Sequence, residues 1–140
     1  MSRFLPVIVI AVALSLYQDV DNPSPQGSPV VASEAATQEP VLVAGRQAEG
    51  SGTVIRILPD DNDGSRHQRF IIRLASGRTL LIAHNIDLAP RINSLKTGDT
   101  VAFFGEFESN PQGGVIHWTH HDPQRRHPDG WLKHGGRTYQ

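Results

Sequence analysis

Arg66-His-Gln-Arg-Phe-Ile-Ile-Arg-Leu74, Ala75-Ser-Gly-Arg78 and Thr79-Leu-Leu-Ile-Ala83 follow one another without a gap. The first piece puts Phe70, Ile72 and Leu74 on one face and Arg69, Ile71 and Arg73 on the other. That period of two belongs to a strand with one face buried. The second piece is a tight turn in which Gly77 supplies a positive φ. The third is a short, mostly apolar strand. Together they predict a β-hairpin at the centre of an all-β domain.

Working outward, Gly52-Thr-Val-Ile-Arg-Ile-Leu58 reads as a strand, ended by the turn-forming run Pro59-Asp-Asp-Asn-Asp-Gly64. Downstream, His84 to Lys96 carries spaced apolar residues (Ile86, Leu88, Ile92, Leu95), but Pro90 limits it to a loop or a short helix. Thr97-Gly-Asp99 turns into a fourth strand, Thr100-Val-Ala-Phe-Phe104, with Gly105 marking a bend or bulge. Asn110-Pro-Gln-Gly-Gly114 is a further turn, and Val115-Ile-His-Trp-Thr119 a fifth strand. Five short strands with an irregular or helical element between the third and fourth match the order of an OB-like barrel. An SH3-like barrel is the rival that periodicity does not exclude. The tail from Arg125 is irregular and is expected to pack back on the barrel, with Trp131 buried and His127 or Asp129 near His117–Asp122.

The chain has 140 residues and a net charge of −1. From Gly50 onward, eleven Lys and Arg stand against nine Asp and Glu. That is not the basic excess of a general nucleic-acid coater. Cysteine is absent, which excludes disulfides, a thiol nucleophile, Cys-ligated metal and a lipoprotein anchor. At the N-terminus, Arg3 precedes an apolar run from Phe4 to Leu16. It is too short for a spanning helix and the right length for a signal peptide, with Ala13 and Ser15 suited to cleavage. The expected organisation is a signal peptide or N-terminal anchor over 1–17, a disordered Pro-, Ser- and Gln-rich linker over 18–48, and the barrel over 49–140. The expected location is periplasmic or secreted, with membrane contact only through an uncleaved N-terminal segment.

Five of the seven histidines crowd the C-terminal part: His117, His120, His121, His127 and His134. On an extended strand, His117 and His121 would share a face. With His84 and Asp122 they make a candidate metal set of His84, His117, His120, His121 and Asp122, for an ion such as Zn. A second group, Arg66, His67, Asn85, Asp87 and Arg91, flanks the loop where OB-like barrels present ligand contacts, and suits an anionic ligand or nucleic acid. Asn85 and Asp87 would equally serve to cap a short helix. The run Asp60-Asp-Asn-Asp-Gly64 lacks the later Glu of a calcium loop and reads as a solvated turn.

The phrases Arg66-His-Gln-Arg-Phe70, His84-Asn-Ile-Asp-Leu-Ala-Pro-Arg91, His117-Trp-Thr-His-His-Asp-Pro123 and Gly130-Trp-Leu-Lys-His134 resemble a family of small exported bacterial proteins, domain of unknown function 3465. The resemblance implies export and a single domain, and it brings no catalytic roles. Ile86-Asp-Leu-Ala-Pro-Arg91 is also similar to an Ile-Asp-x-Pro-Glu phrase of staphylococcal-nuclease-like barrels. It has one extra residue, and Arg91 stands in place of that family's Glu, so the general base is missing.

The reading is an exported ligand-binding module for a metal ion, anion or oligonucleotide. The alternatives are a metal-dependent phosphodiester hydrolase, with Arg66 or Arg91 stabilising developing charge, and a structural or interaction protein whose histidines are paired internally.

Overall fold

Seven strands account for the regular structure of residues 39–140, which are the ones the computed structural model describes. They are β1 (Arg46–Ile57), β2 (His67–Arg73), β3 (Thr79–Asn85), β4 (Thr100–Glu108), β5 (Val115–His117), β6 (Trp131–His134) and β7 (Arg137–Tyr139). The expected signal peptide, and the expected linker up to residue 38, lie outside the described residues.

The hairpin read from the sequence is present. β2 and β3 pair antiparallel from His67↔Asn85 to Arg73↔Thr79. Gly77 closes the turn at φ 91°. β1 pairs with β2 through Thr53–Ile57 and with β4 through Arg46–Thr53, and a register shift between Val54 and Arg56 lets it serve both. β5 lies parallel to β3 and antiparallel to β4. The order β1-β2-β3-β5-β4 therefore returns to β1 and closes a small all-β, OB-like barrel.

Alternation decides what goes inside. Phe70 and Ile72 of β2, Leu80 and Ile82 of β3, Val101 and Phe103 of β4, and Ile116 of β5 all point inward and are fully buried. Their neighbours in sequence form the outer wall. Leu42, upstream of β1, packs against this core. Glu39 accepts hydrogen bonds from the Ser76 hydroxyl and backbone N–H at the β2–β3 turn.

Between β3 and β4 the loop alternative holds: the segment makes one turn, with the Ala89 N–H donating to Asn85 O at 3.1 Å, and then runs irregularly past Pro90, as a residue without an N–H favours. Three expectations are corrected. The tail is not irregular after Asp129. β6 adds to the edge of β4 through Ala102–Phe104, and β7 folds back on β6. Trp131 is half-buried, because Leu132 takes the inward position and Tyr139 joins the core behind it. Trp131 lies instead against Phe104, with ring centroids 6.1 Å apart. Finally, Gly105 stays in register opposite Ala48 and makes no bulge. It sits where the β4 edge passes from β6 to β5, and a Cβ there would lie 2.5 Å from His117 O. The position requires a residue without a side chain because β5 and the chain after it approach so closely.

Candidate metal centre on the outer wall

Glu106 and Glu108 stand two apart on β4, so both project from the outer face. His117 of β5 is the direct cross-strand partner of Glu106. Its Nε2 lies 3.9 Å from Glu106 Oε2 and 3.8 Å from Glu108 Oε1. One ligand atom from each of the three lies within 4.8 Å of the others. The His117 Nε2 atom is buried and has no hydrogen-bond partner among the described residues. Zn–N and Zn–O bonds of about 2.0–2.2 Å place two ligand atoms of one tetrahedral ion about 3.4 Å apart, so each His117–carboxylate gap exceeds that spacing by about half an ångström. Three protein ligands leave a fourth position for water or for a small ligand.

His127 holds the same Glu106 oxygen that lies nearest His117. Its Nε2 lies 2.8 Å from Glu106 Oε2 and its Nδ1 2.9 Å from Pro128 O. Both neighbours accept, so the geometry is satisfied when both ring nitrogens carry protons. The ring stacks on Trp118 at a centroid distance of 3.9 Å. Trp118 itself holds a left-handed backbone, φ 56°, unusual for a bulky residue. That turn ends β5 at His117 and swings the chain away. The shared strand face expected for His117 and His121 is therefore not formed. A Cβ on Gly130 would lie 1.9 Å from Trp118 O, so the returning tail can close over this turn only as glycine.

The rest of the expected metal set has other duties. His84 is inward-facing and fully buried at the end of the barrel. Its Nε2 donates to Pro90 O at 2.9 Å, which leaves Nδ1 to accept from the Thr119 hydroxyl at 2.7 Å. Burial holds its pKa down at about 4, against a smaller upward effect from the Pro90 carbonyl. A ring with both nitrogens engaged has no lone pair for a metal. Asp122 accepts the N–H groups of Gln124, Arg126 and His127, at 2.9, 2.8 and 2.9 Å, and so shapes the loop that brings His127 to Glu106. Those bonds, first of all that from Gln124, hold its carboxyl below the usual range. His121 is exposed and paired with Asp129 at 2.9 Å. Of the expected metal residues, His117 and His120 line one small cleft, and His121 and Asp122 border a different one.

The expected anion group is likewise occupied. Asp87 accepts from the Arg66 backbone N–H at 2.9 Å and from its Nε at 2.8 Å, which lowers its pKa. Asn85 Oδ1 accepts the Asp87 N–H. Arg91 makes a two-pronged ion pair with Asp60, Nε–Oδ2 at 2.9 Å and an Nη at 3.1 Å from Oδ1, which raises its own pKa. These residues form clasps around the β2–β3 end of the barrel. Of this group, His67 and Asn85 line the cleft on the outer wall.

Glu106 and Glu108 were missed as a site. Their signal is the alternation of Phe103, Gly105 and Phe107 with Phe104, Glu106 and Glu108, which puts both acids outside. The pairing of Glu106 with His117 depends on the register across the Asn110–Gly114 turn.

The fold and this wall define a small OB-like barrel with a carboxylate–imidazole group on its outside. The chain belongs to DUF3465, a family described as protein of unknown function, whose family model matches residues 27–140. A search of the curated proteins returns no match.

Proposed function

We propose that this barrel is a binding module for a divalent metal ion, held on its outer wall by Glu106, Glu108 and His117. The observation that carries the reading is the His117 Nε2 atom, buried, without a hydrogen-bond partner among the described residues, and facing two carboxylates. A buried polar atom left unpaired costs stability, and an ion between the three groups would satisfy it. Binding is favoured over phosphodiester hydrolysis because Arg66 and Arg91 are each tied to a carboxylate. The same pairing argues against an anion or an oligonucleotide as the ligand. The apolar run after Arg3 supports a periplasmic or secreted setting.

The test is calorimetric titration of the untagged full chain with Zn2+, paired with melting curves before and after EDTA. One ion per chain is expected, with stabilisation of about 2.7 kcal/mol at a hundredfold excess over Kd. His117→Ala and Glu108→Gln should each weaken binding by about tenfold or more. Absence of stoichiometric binding in the wild type overturns the reading.

A further inference from the structure

The solvent side of a sheet is ordinarily polar. Beside Glu108 and His117 it is not. Leu81 and Ala83 of β3 and Val115 of β5 alternate with the buried Leu80, Ile82 and Ile116, so all three project from the outer face. The register makes them neighbours. Leu81 stands opposite Val115, Val115 opposite Glu108, and Ala83 opposite Arg69 of β2. They floor a depression of about 360 Å3 that Glu108 and His117 also line. Its lining residues are all half-buried.

The far side of the depression is fixed. Asp61, His67 and Arg69 border it there. Asp61 and His67 exchange backbone hydrogen bonds, each of 2.9 Å. Arg69 donates to Pro59 O from Nε at 3.2 Å and from Nη2 at 3.1 Å. The loop after β1 is thereby held as a rim. Ala83 is the smallest side chain of the floor, and a longer one there would fill the space. An apolar floor with a few polar groups at its edge is the usual build of a small-molecule site. Here the groups at one edge belong to the candidate metal centre, whose ion would keep a fourth position for a ligand.

We propose that this depression takes a small organic acid, whose carboxylate fills the fourth position of the ion and whose hydrocarbon body lies on Leu81, Ala83 and Val115. The proposal rests on the metal-binding reading and adds the class of molecule that the centre receives. The ion attracts a carboxylate and repels an ammonium group, which sets the sign of the ligand's charge. Arginines tied elsewhere are no obstacle, because the ion and not a guanidinium receives the anion. The floor favours an apolar body in proportion to the apolar surface it covers.

The experiment uses the untagged full chain, with and without Zn2+. Acetate and benzoate are each titrated, and binding is read from the NMR shifts of backbone amides. Benzoate should bind the Zn2+-loaded chain about tenfold tighter than acetate, with the largest shifts around Leu81, Ala83 and Val115. Neither acid should bind the metal-free chain. Ala83→Leu fills the depression and removes no metal ligand. It should bind Zn2+ as the wild type does and lose the preference for benzoate. The wild-type comparison decides the matter even if that variant fails to fold. Equal affinities for the two acids in the Zn2+-loaded wild type, or an unaltered preference in Ala83→Leu, overturn this inference and leave the metal-binding reading standing. Benzoate binding without Zn2+ overturns it as well. If Zn2+ itself does not bind, the metal-binding reading falls and this inference falls with it.

Discussion

The end of the barrel around His84 and the outer wall around His117 use the same side chain in opposite ways. His84 sits at an inward position of β3 and spends both ring nitrogens on Pro90 and Thr119. His117 sits at an outward position of β5 and leaves its Nε2 facing Glu106 and Glu108, without a hydrogen bond among the described residues. Strand parity separates the two. Inside, a polar atom must be satisfied by the protein itself. Outside, a polar atom enclosed by side chains can be left for a ligand. Composition therefore misleads here, because a histidine count does not distinguish a plug from a ligand.

The comparison breaks most directly at His84. His84→Ala removes the partner of the Thr119 hydroxyl and of Pro90 O and leaves a cavity, which should cost about 3 kcal/mol. Urea denaturation at neutral pH measures it. A loss below about 1 kcal/mol would mean that His84 is no plug. Zn2+ affinity of the folded variant should stay unchanged, since no ligand atom is removed.

A pH series sharpens the same contrast. The His84 pKa is lower folded, about 4, than its ordinary 6.5. The unfolded chain thus binds the extra proton first, and the contribution of neutral His84 is fully present above pH 6.5. It is lost as pH falls from 6.5 towards 4, on the order of 3 kcal/mol in all. The depressed carboxyls of Asp87, Asp99, Asp122 and Asp129 lose their contributions in the same direction, but in a lower window, below their ordinary value of 3.8. His84→Gln should flatten the stability curve between pH 6.5 and 4 and leave the acid limb. An unchanged slope in that variant would remove His84 from the account.

The smallest effect belongs to the clasps. Arg91→Ala breaks a two-pronged pair with Asp60 at a partly exposed position. It should cost less than about 1 kcal/mol and leave Zn2+ binding intact. A loss of binding there would return Arg91 to the site.

Most of the barrel was legible because alternation is a local signal. Phe70, Ile72 and Leu74 against Arg69, Ile71 and Arg73 fix β2, and the Gly77 turn fixes its partner. The Arg46–Glu49 part of β1 was not legible, because its pairing with β4 is a distant contact that polar residues such as Arg46 and Glu49 do not announce. The β6–β7 hairpin was hidden by a Gly- and His-rich tail whose only strong anchors are Leu132 and Tyr139. The candidate site was legible in one residue. His117 was named, but the set was assembled by nearness in sequence. The left-handed Trp118 then separated His117 from His121, and cross-strand register supplied Glu106 and Glu108 instead.

The closure of the barrel also orders events in time. Arg46 meets Phe107, and Leu81 meets Val115 in a parallel pair, so the sheet cannot shut until chain far downstream has been delivered. Tyr139 completes the core later still. Such distant pairings make for slow folding, in the millisecond-to-second range typical of β-barrels. The β2–β3 hairpin is the longest ladder stitched by near neighbours, so it is the natural first structure, waiting for β1, β4 and the tail to enclose it.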